Sequence, residues 1–397
     1  MTIRAPRSLF ALIFAAAIAT TVSAASAQIQ TQQPYHVITK WKIGGTNRWD
    51  YLSVDPATHR LFVSHGAQVD TIDTSTGKVV GSITGLQGSH GIAYDATGKY
   101  GYISDGSGVV VFDRGTLAKV TTVAVGGADG IIYEPVTQTI WSWNRASGGG
   151  TATAIDTATQ KLAKTITTQG RLEAATVDGK GNVYGNNGGD IVRIDAKAGQ
   201  ITAQWKTGCE DASGLAADPE GNRIFQACDG KKMYAVDLSS GKVLATSEIG
   251  DRPDSAGWSA KYHLAFASTG DGLLSVVDAN KPGYPTIEKL PTMSGARTMT
   301  YDPATDRVYT VSAERDPNAK SQQGPPQGGP PQGQIQGGQQ GPPQGQGAPG
   351  GQGGPGGPGG PPQGQGQGGP GGQGGPGGPG GASPYLADSF TVIVIGR

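Results

Sequence analysis

An aspartate returns at a nearly fixed interval along this chain: Asp73, Asp113, Asp156, Asp195, Asp237 and Asp278, separated by 40, 43, 39, 42 and 41 residues. A second acidic series runs ahead of it, at Asp55, Asp95, Glu134, Asp178, Asp218 and Asp302, with Ala260 near the place of the absent member. A period of this size admits a propeller or a solenoid, and the choice rests on whether each unit is helical or extended. These units are extended. Helical periodicity is absent, whereas Gly108–Asp113 and Asp190–Asp195 are β-rich runs bounded by turn residues. Asp55-Pro56-Ala57-Thr58 and Asp302-Pro303-Ala304-Thr305 suit type I turns, since Asp caps the backbone at the first place and Pro presets φ at the second. Asp73-Thr74-Ser75-Thr76-Gly77-Lys78 and Asp237-Leu238-Ser239-Ser240-Gly241-Lys242 supply the other tight connection, so each unit holds four strands.

The first strand of each unit alternates in size. Two and four places before its acid stand mostly small residues (Ala93 and Gly91, Ala216 and Gly214, Gly257 and Ser255); one and three places before stand mostly large ones (Tyr94 and Ile92, Tyr133 and Ile131, Tyr301 and Met299). Side chains alternate across a strand, so one blade's bulky face can fill the next blade's shallow one when sheets stack radially. Tyr51 and Ile132 depart from this pattern. Six units run from about Trp49 to Met293, and a seventh starts at Arg297 but is interrupted. Its third strand, 389–395, lies near the C-terminus, and residues 35–43 offer the missing fourth. Such closure removes two exposed sheet edges. The expected fold is therefore all-β, a seven-bladed β-propeller with four antiparallel strands per blade, spanning 35–313 plus 389–397, with the last blade closed by the N-terminal strand.

The interruption is compositional. Residues 321–382 hold 29 Gly, 14 Pro and 15 Gln, 58 of 62 positions, with no charged or aromatic side chain. With nothing to bury, such a stretch cannot offset its ordering entropy, and 314–388 is expected to be a disordered insertion in the last blade. The N-terminus reads as a secretory signal peptide over 1–27: Arg4 and Arg7, an apolar run from Leu9 to Ala19, then Ala25-Ser26-Ala27 before Gln28. After cleavage no apolar run approaches transmembrane length, and a periplasmic or extracellular location is expected. The mature chain carries 29 basic against 31 acidic residues, which does not suggest nucleic acid as a partner.

At the second strands the repeats read Phe62-Val63-Ser64-His65, Tyr102-Ile103-Ser104-Asp105, Tyr184-Gly185-Asn186-Asn187 and Tyr309-Thr310-Val311-Ser312, and the third strands close on Val-Ile-Asp or a near equivalent before Thr-Gly-Lys or Ser-Gly-Lys. This pattern resembles the YVTN-type β-propeller repeat family, the exported bacterial proteins called YncE-like. No copy spells the family tetrapeptide. The resemblance covers 35–313 and 389–397 and implies a propeller shape and an exported location; the repeat is a signature of architecture, not of activity.

In a propeller the fourth-to-first and second-to-third connections open on one face around the channel mouth. Five places before each first-strand acid, Asp50, His90, Asp129, Glu173, Ser213, Asp254 and Arg297 should ring that mouth. A second ring, at the ends of the second strands, would hold His65, Asp105, Asn144, Asn187, Cys228, Thr269 and Ser312. Converging carboxylates and amides suit a divalent cation, Ca or Mg, or a cationic or polyhydroxylated ligand. The ligand-binding candidates are Asp50, His90, Asp129, Glu173, Asp254, Arg297, Asn144 and Asn187. By analogy with lactonases on related propellers, Asp129, Glu173, Asn187 and Asp254 are the metal candidates and His90 the candidate base. The plainer alternative is that channel mouths are wet and turns favour Asp, so that acids gather there without any ligand. No catalytic residue is assigned and no cofactor is certain, a divalent cation, Ca or Mg, being the candidate; the partner class stays open among small molecule, glycan and protein. Two functions therefore stand side by side: a non-enzymatic binding or scaffolding module, and a metal-dependent hydrolase acting on a lactone. Trp141 and Trp143 share one strand face and either stack a sugar or pack between blades. Cys209 and Cys228 fall in neighbouring mouth-face loops and are expected to form a disulfide.

Overall fold

The computed structural model describes residues 1, 33–45, 48–55, 57–146, 149–319 and 384–397. The leader and the Gly/Pro/Gln tract lie outside the described residues. The chain divides at Pro34, and Tyr35–Arg397 is the propeller. Among the described residues there is no helix; the strands form seven four-stranded sheets. Blade 1 comprises Leu52–Asp55, Arg60–Ser64, Gln68–Asp73 and Val79–Thr84, and the next five blades repeat this order without crossing. Blade 7 comprises Met299–Asp302, Arg307–Ser312, Thr391–Gly396 and, from the other end of the chain, His36–Lys42. The closing strand pairs antiparallel with the C-terminal one, from His36 opposite Gly396 to Lys42 opposite Thr391.

Each first strand packs against the first strands of both neighbouring blades, those of blades 7 and 1 included, so the ring is closed. The small-residue face works as its pattern implies. A Cβ added at Gly91 would sit 2.6 Å from Ile131 of the next blade, and one at Gly257 would sit 2.8 Å from Met299. Seven buried apolar clusters result, one at each blade-to-blade interface, so the core is a set of wedges between sheets. Trp141 and Trp143 are fully buried in the wedge between blades 3 and 4, which assigns them to packing.

The periodic aspartates hold the turns on the face away from the mouth. Asp73 Oδ1 accepts from the backbone N–H groups of Ser75 and Thr76 at 3.0 and 2.8 Å, and Asp237 Oδ1 accepts likewise from Ser239 and Ser240. Gly77 and Gly241 close these turns at φ +69° and +72°, a left-handed conformation that suits glycine. The same two glycines seat the indoles of Trp41 and Trp205 from the preceding blade, where any Cβ would collide.

Residues 314–319 and 384–388, counted with the insertion from sequence, form a short stem. Arg315 bridges Tyr385, Leu386 N–H donates to Glu314 O at 2.8 Å, and Tyr385 meets Trp49 edge to face at 5.1 Å. The stem therefore stands on the mouth face beside Asp50.

Candidate functional site

The first strands deliver their leading residues to one end of the channel, and ion pairs link them across blades. His90 Nδ1 lies 2.6 Å from Asp50 Oδ2 and 3.8 Å from Asp129 Oδ1, so one imidazole joins blades 1, 2 and 3. Asp129 Oδ2 faces Arg171 Nη2 at 3.6 Å and Arg145 Nη2 at 3.8 Å, and Arg171 also pairs with Glu173. Across the channel Arg297 Nε stands 3.5 Å from Asp254 Oδ2. Six of the seven first-ring positions thus meet a partner of opposite charge; the seventh is Ser213.

Burial and mutual repulsion set the protonation of this group. Asp129 and Glu173 hold their protons above the ordinary carboxylate range. For Asp129 burial leads, opposed by the His90 charge; for Glu173 burial leads and the Asp129 charge adds to it. Asp254 is pushed up to about 7 by burial, against the pull of Arg297 and with the help of Asp50, Glu173 and Asp129. Burial alone would lower His90, but its hydrogen bond to Asp50 and the charges of Asp50 and Asp129 outweigh that and raise it above 6.5. The ring is a compensated set of four carboxylates with one imidazole and three guanidiniums, not the bare circle of acids that spacing suggested.

In three blades a serine near the end of the second strand clasps the backbone beneath the ring. Ser64 Oγ donates to His90 O, Ser104 Oγ to Asp129 O, and Ser268 Oγ to Arg297 O, each reaching from the second strand of one blade to the first strand of the next. Ser104 Oγ also accepts from Gly91 N–H at 2.7 Å. Tyr51, the exception to the small-residue rule, lines the top of the central cavity of ≈ 400 Å³. Its hydroxyl is driven well above 10 by burial and then by the charges of Glu173, Asp129, Asp50 and Asp254.

The second ring braces loops. Asn144 is buried and its amide bonds Ser142, Thr151 and Thr153 within blade 3, so it is not a mouth ligand. Asn187 lies at the end of its strand with Oδ1 against Gly170, where a Cβ would stand 2.3 Å away. His65 is buried on Asp70 at 2.6 Å and stacks on Phe390. Asp105 accepts from Gln87 N–H at 2.7 Å, and Ser312 donates to Ser294 O at 2.7 Å. Cys209 and Cys228 form a disulfide with Cα atoms 5.7 Å apart. Among the described residues Asp50, His90 and Asp129 form a compact donor group, with ligand atoms all within 4.8 Å of one another.

Sequence reasoning missed Arg145, Arg171 and Tyr51. Arg171 stands two residues before Glu173 and Arg145 directly follows Asn144, so both flank ring positions, but the reach of a long side chain is not encoded in spacing.

The fold and mouth geometry define a seven-bladed β-propeller. No protein-family model matches the sequence, and no curated protein does. Among solved structures, the chain is similar to the RRP9 WD40 repeats, with a TM-score of 0.60 at 11% identity over 70% of this chain and 89% of that one. It is similar to U3-55K to the same degree, with a TM-score of 0.59 at 11% identity over 70% and 90%. At this identity the likeness is one of fold, a β-propeller scaffold resembling WD40 repeat proteins. No helix among the described residues is long and apolar enough to cross a membrane.

Proposed function

We propose that the chain is an exported binding or scaffolding propeller of the YVTN, YncE-like type, which engages a ligand or protein partner at its mouth face. The observation that carries this reading is the compensated charge ring. Holding Asp129, Glu173 and Asp254 together disfavours their ionised forms, and no wedge of the core requires them there. A local electrostatic cost without a packing return is the mark of a recognition site. Chemical-shift mapping of the mature chain with small acids, amines and sugars tests it: perturbations of mouth-face amides, around Asp50, His90, Asp129 and Arg171 or the loops beside them, support the reading, and silence of all of them for every class sinks it. Export rests on the leader layout and agrees with the Cys209–Cys228 disulfide, since such bonds persist in oxidising compartments. Intact mass of the secreted or periplasmic chain should start at Gln28; a chain retaining Met1 in the cytosol overturns it.

The second reading, a divalent-metal hydrolase acting on a lactone, is favoured by the spacing of Asp50, His90 and Asp129. Two carboxylates and an imidazole suit a divalent cation, which would polarise an ester carbonyl. However, His90 Nδ1 is committed to Asp50, and Asp129 already faces two guanidiniums, so an ion must displace these contacts. Metal analysis and melting with calcium and with chelator decide: no ion and no shift remove the hydrolase.

A further inference from the structure

Beside the ring, between blades 1 and 2, the mouth face is cut by a notch of ≈ 370 Å³. It is lined by Asp50 and His90, by the apolar side chains of Trp49, Ala67 and Leu86, and by the exposed Arg48. The walls are cross-braced. Leu86 N–H donates to Ala67 O at 3.0 Å, Ser89 N–H to Gly66 O at 2.9 Å, and Ser89 Oγ reaches Gly66 O and Gln68 O at 3.0 and 2.9 Å. Among the described residues nothing lies within 4 Å of the place where a Gly88 side chain would start, so one side of the notch stands open to them.

Its charges are unequal. Asp50 is already satisfied by His90, whereas the exposed Arg48 guanidinium has no ion pair, hydrogen bond or ring contact among the described residues. Arg145, Arg171 and Arg297 each face a carboxylate; Arg48 does not. Gly88 N–H likewise meets no acceptor among the described residues. A rigid, partly apolar recess whose unspent polar groups are a planar five-donor cation and a backbone N–H selects an acceptor-rich anion, because guanidinium and carboxylate match in a two-point fork. A small cation would meet Arg48 as a like charge.

We propose that the notch between blades 1 and 2 seats a small organic monocarboxylate, its carboxylate on Arg48 and its apolar body over Leu86 and Ala67. The assignment rests on the reading of the mouth face as the ligand face and narrows it to one recess and one charge. This reverses the sign of the ligand that counting acids suggested.

Benzoate and benzylamine, alike in shape and opposite in charge, test it on the mature chain by amide chemical-shift titration and calorimetry. Benzoate should shift Ala67 and Leu86 through Gly88, and Arg48→Gln should weaken it at least about tenfold without changing the melting temperature, since Arg48 makes no ion pair or hydrogen bond among the described residues. Benzylamine should leave the notch unmoved. Equal benzoate affinity for wild type and Arg48→Gln, or benzylamine bound at these amides instead, overturns the assignment. Shifts confined to the Arg171 and Glu173 side of the ring also overturn it while leaving the mouth face a ligand face. Silence of all mouth-face amides to both probes and to the wider panel of acids, amines and sugars removes both.

Discussion

Two sets of acids in this propeller come from the same repeat and behave in opposite ways. The turn acids Asp73, Asp113, Asp156 and Asp237 sit at the surface and are held below the ordinary carboxylate range, Asp73 at about 2, by the hydroxyls and backbone N–H groups of their own turns. The mouth acids Asp129, Glu173 and Asp254 are held above it by burial and by one another. The turn acids meet donors that their own local sequence supplies. The mouth acids meet other carboxylates, because the ring brings seven strands to one axis. A carboxylate that stabilises its turn is explained by architecture; one that costs stability calls for a function.

A third kind of acid differs from both. Asp55, the first-strand acid of blade 1, is buried against Arg114 of blade 2, Nε to Oδ2 3.0 Å, with both side chains at most 4% exposed. Arg114→Met leaves that buried carboxylate without its counter-charge, with only the turn donors Ala57 N–H and Thr58 Oγ1, and should lower unfolding free energy by about 3–5 kcal/mol in urea titrations. A change under about 1 kcal/mol would place Asp55 with the solvated turn acids. Second, the mouth loops are held covalently where the turns are not: replacing both Cys209 and Cys228 by Ser should cost about 2–4 kcal/mol, and an unchanged midpoint would show that the loops hold without the bond.

Removing a mouth acid has the opposite effect. Asp254, raised to about 7 from 3.8, contributes stability that is complete below pH 3.8 and is lost as pH rises toward 7. Asp254→Asn should therefore stabilise the protein at pH 8 by about 1–2 kcal/mol, a value reduced for its partial exposure, and leave stability at pH 4 nearly unchanged. Destabilisation at pH 8 would mean that the Arg297 pair outweighs burial. The raised His90 acts in the same direction, its contribution falling as pH climbs through its folded value. The smallest effect belongs to the turns. Asp73, lowered to about 2, contributes above pH 3.8 and loses that contribution as pH falls through 2, so Asp73→Ala should lower the melting temperature at pH 7 by about 1–2 °C and by less at pH 2.

The architecture was legible because its signals are local and repeated. The interval between Asp73 and Asp113, the Gly77 and Gly241 turns, the small residues at Gly91 and Gly257 and the orphan strands at the two ends all survive as single-letter patterns. The first ring was legible for the same reason, since Asp50, His90, Asp129, Glu173, Asp254 and Arg297 occupy one place in the repeat. The second ring misled: position put Asn144 at the mouth, but its amide turns inward to Thr151 and Thr153, a choice made by hydrogen-bond partners on the adjacent strand.

By itself the chain's letter order determined four strands per unit, seven units and the joining of its ends, because turn chemistry and side-chain alternation act over a few residues. Tertiary structure alone decided that Arg145 and Arg171 answer Asp129 and Glu173, that His90 ties three blades, and that Arg48 lines a recess without an ion pair among the described residues. Charge pairing across an axis depends on the reach and direction of side chains from different blades, and no interval along the chain records those.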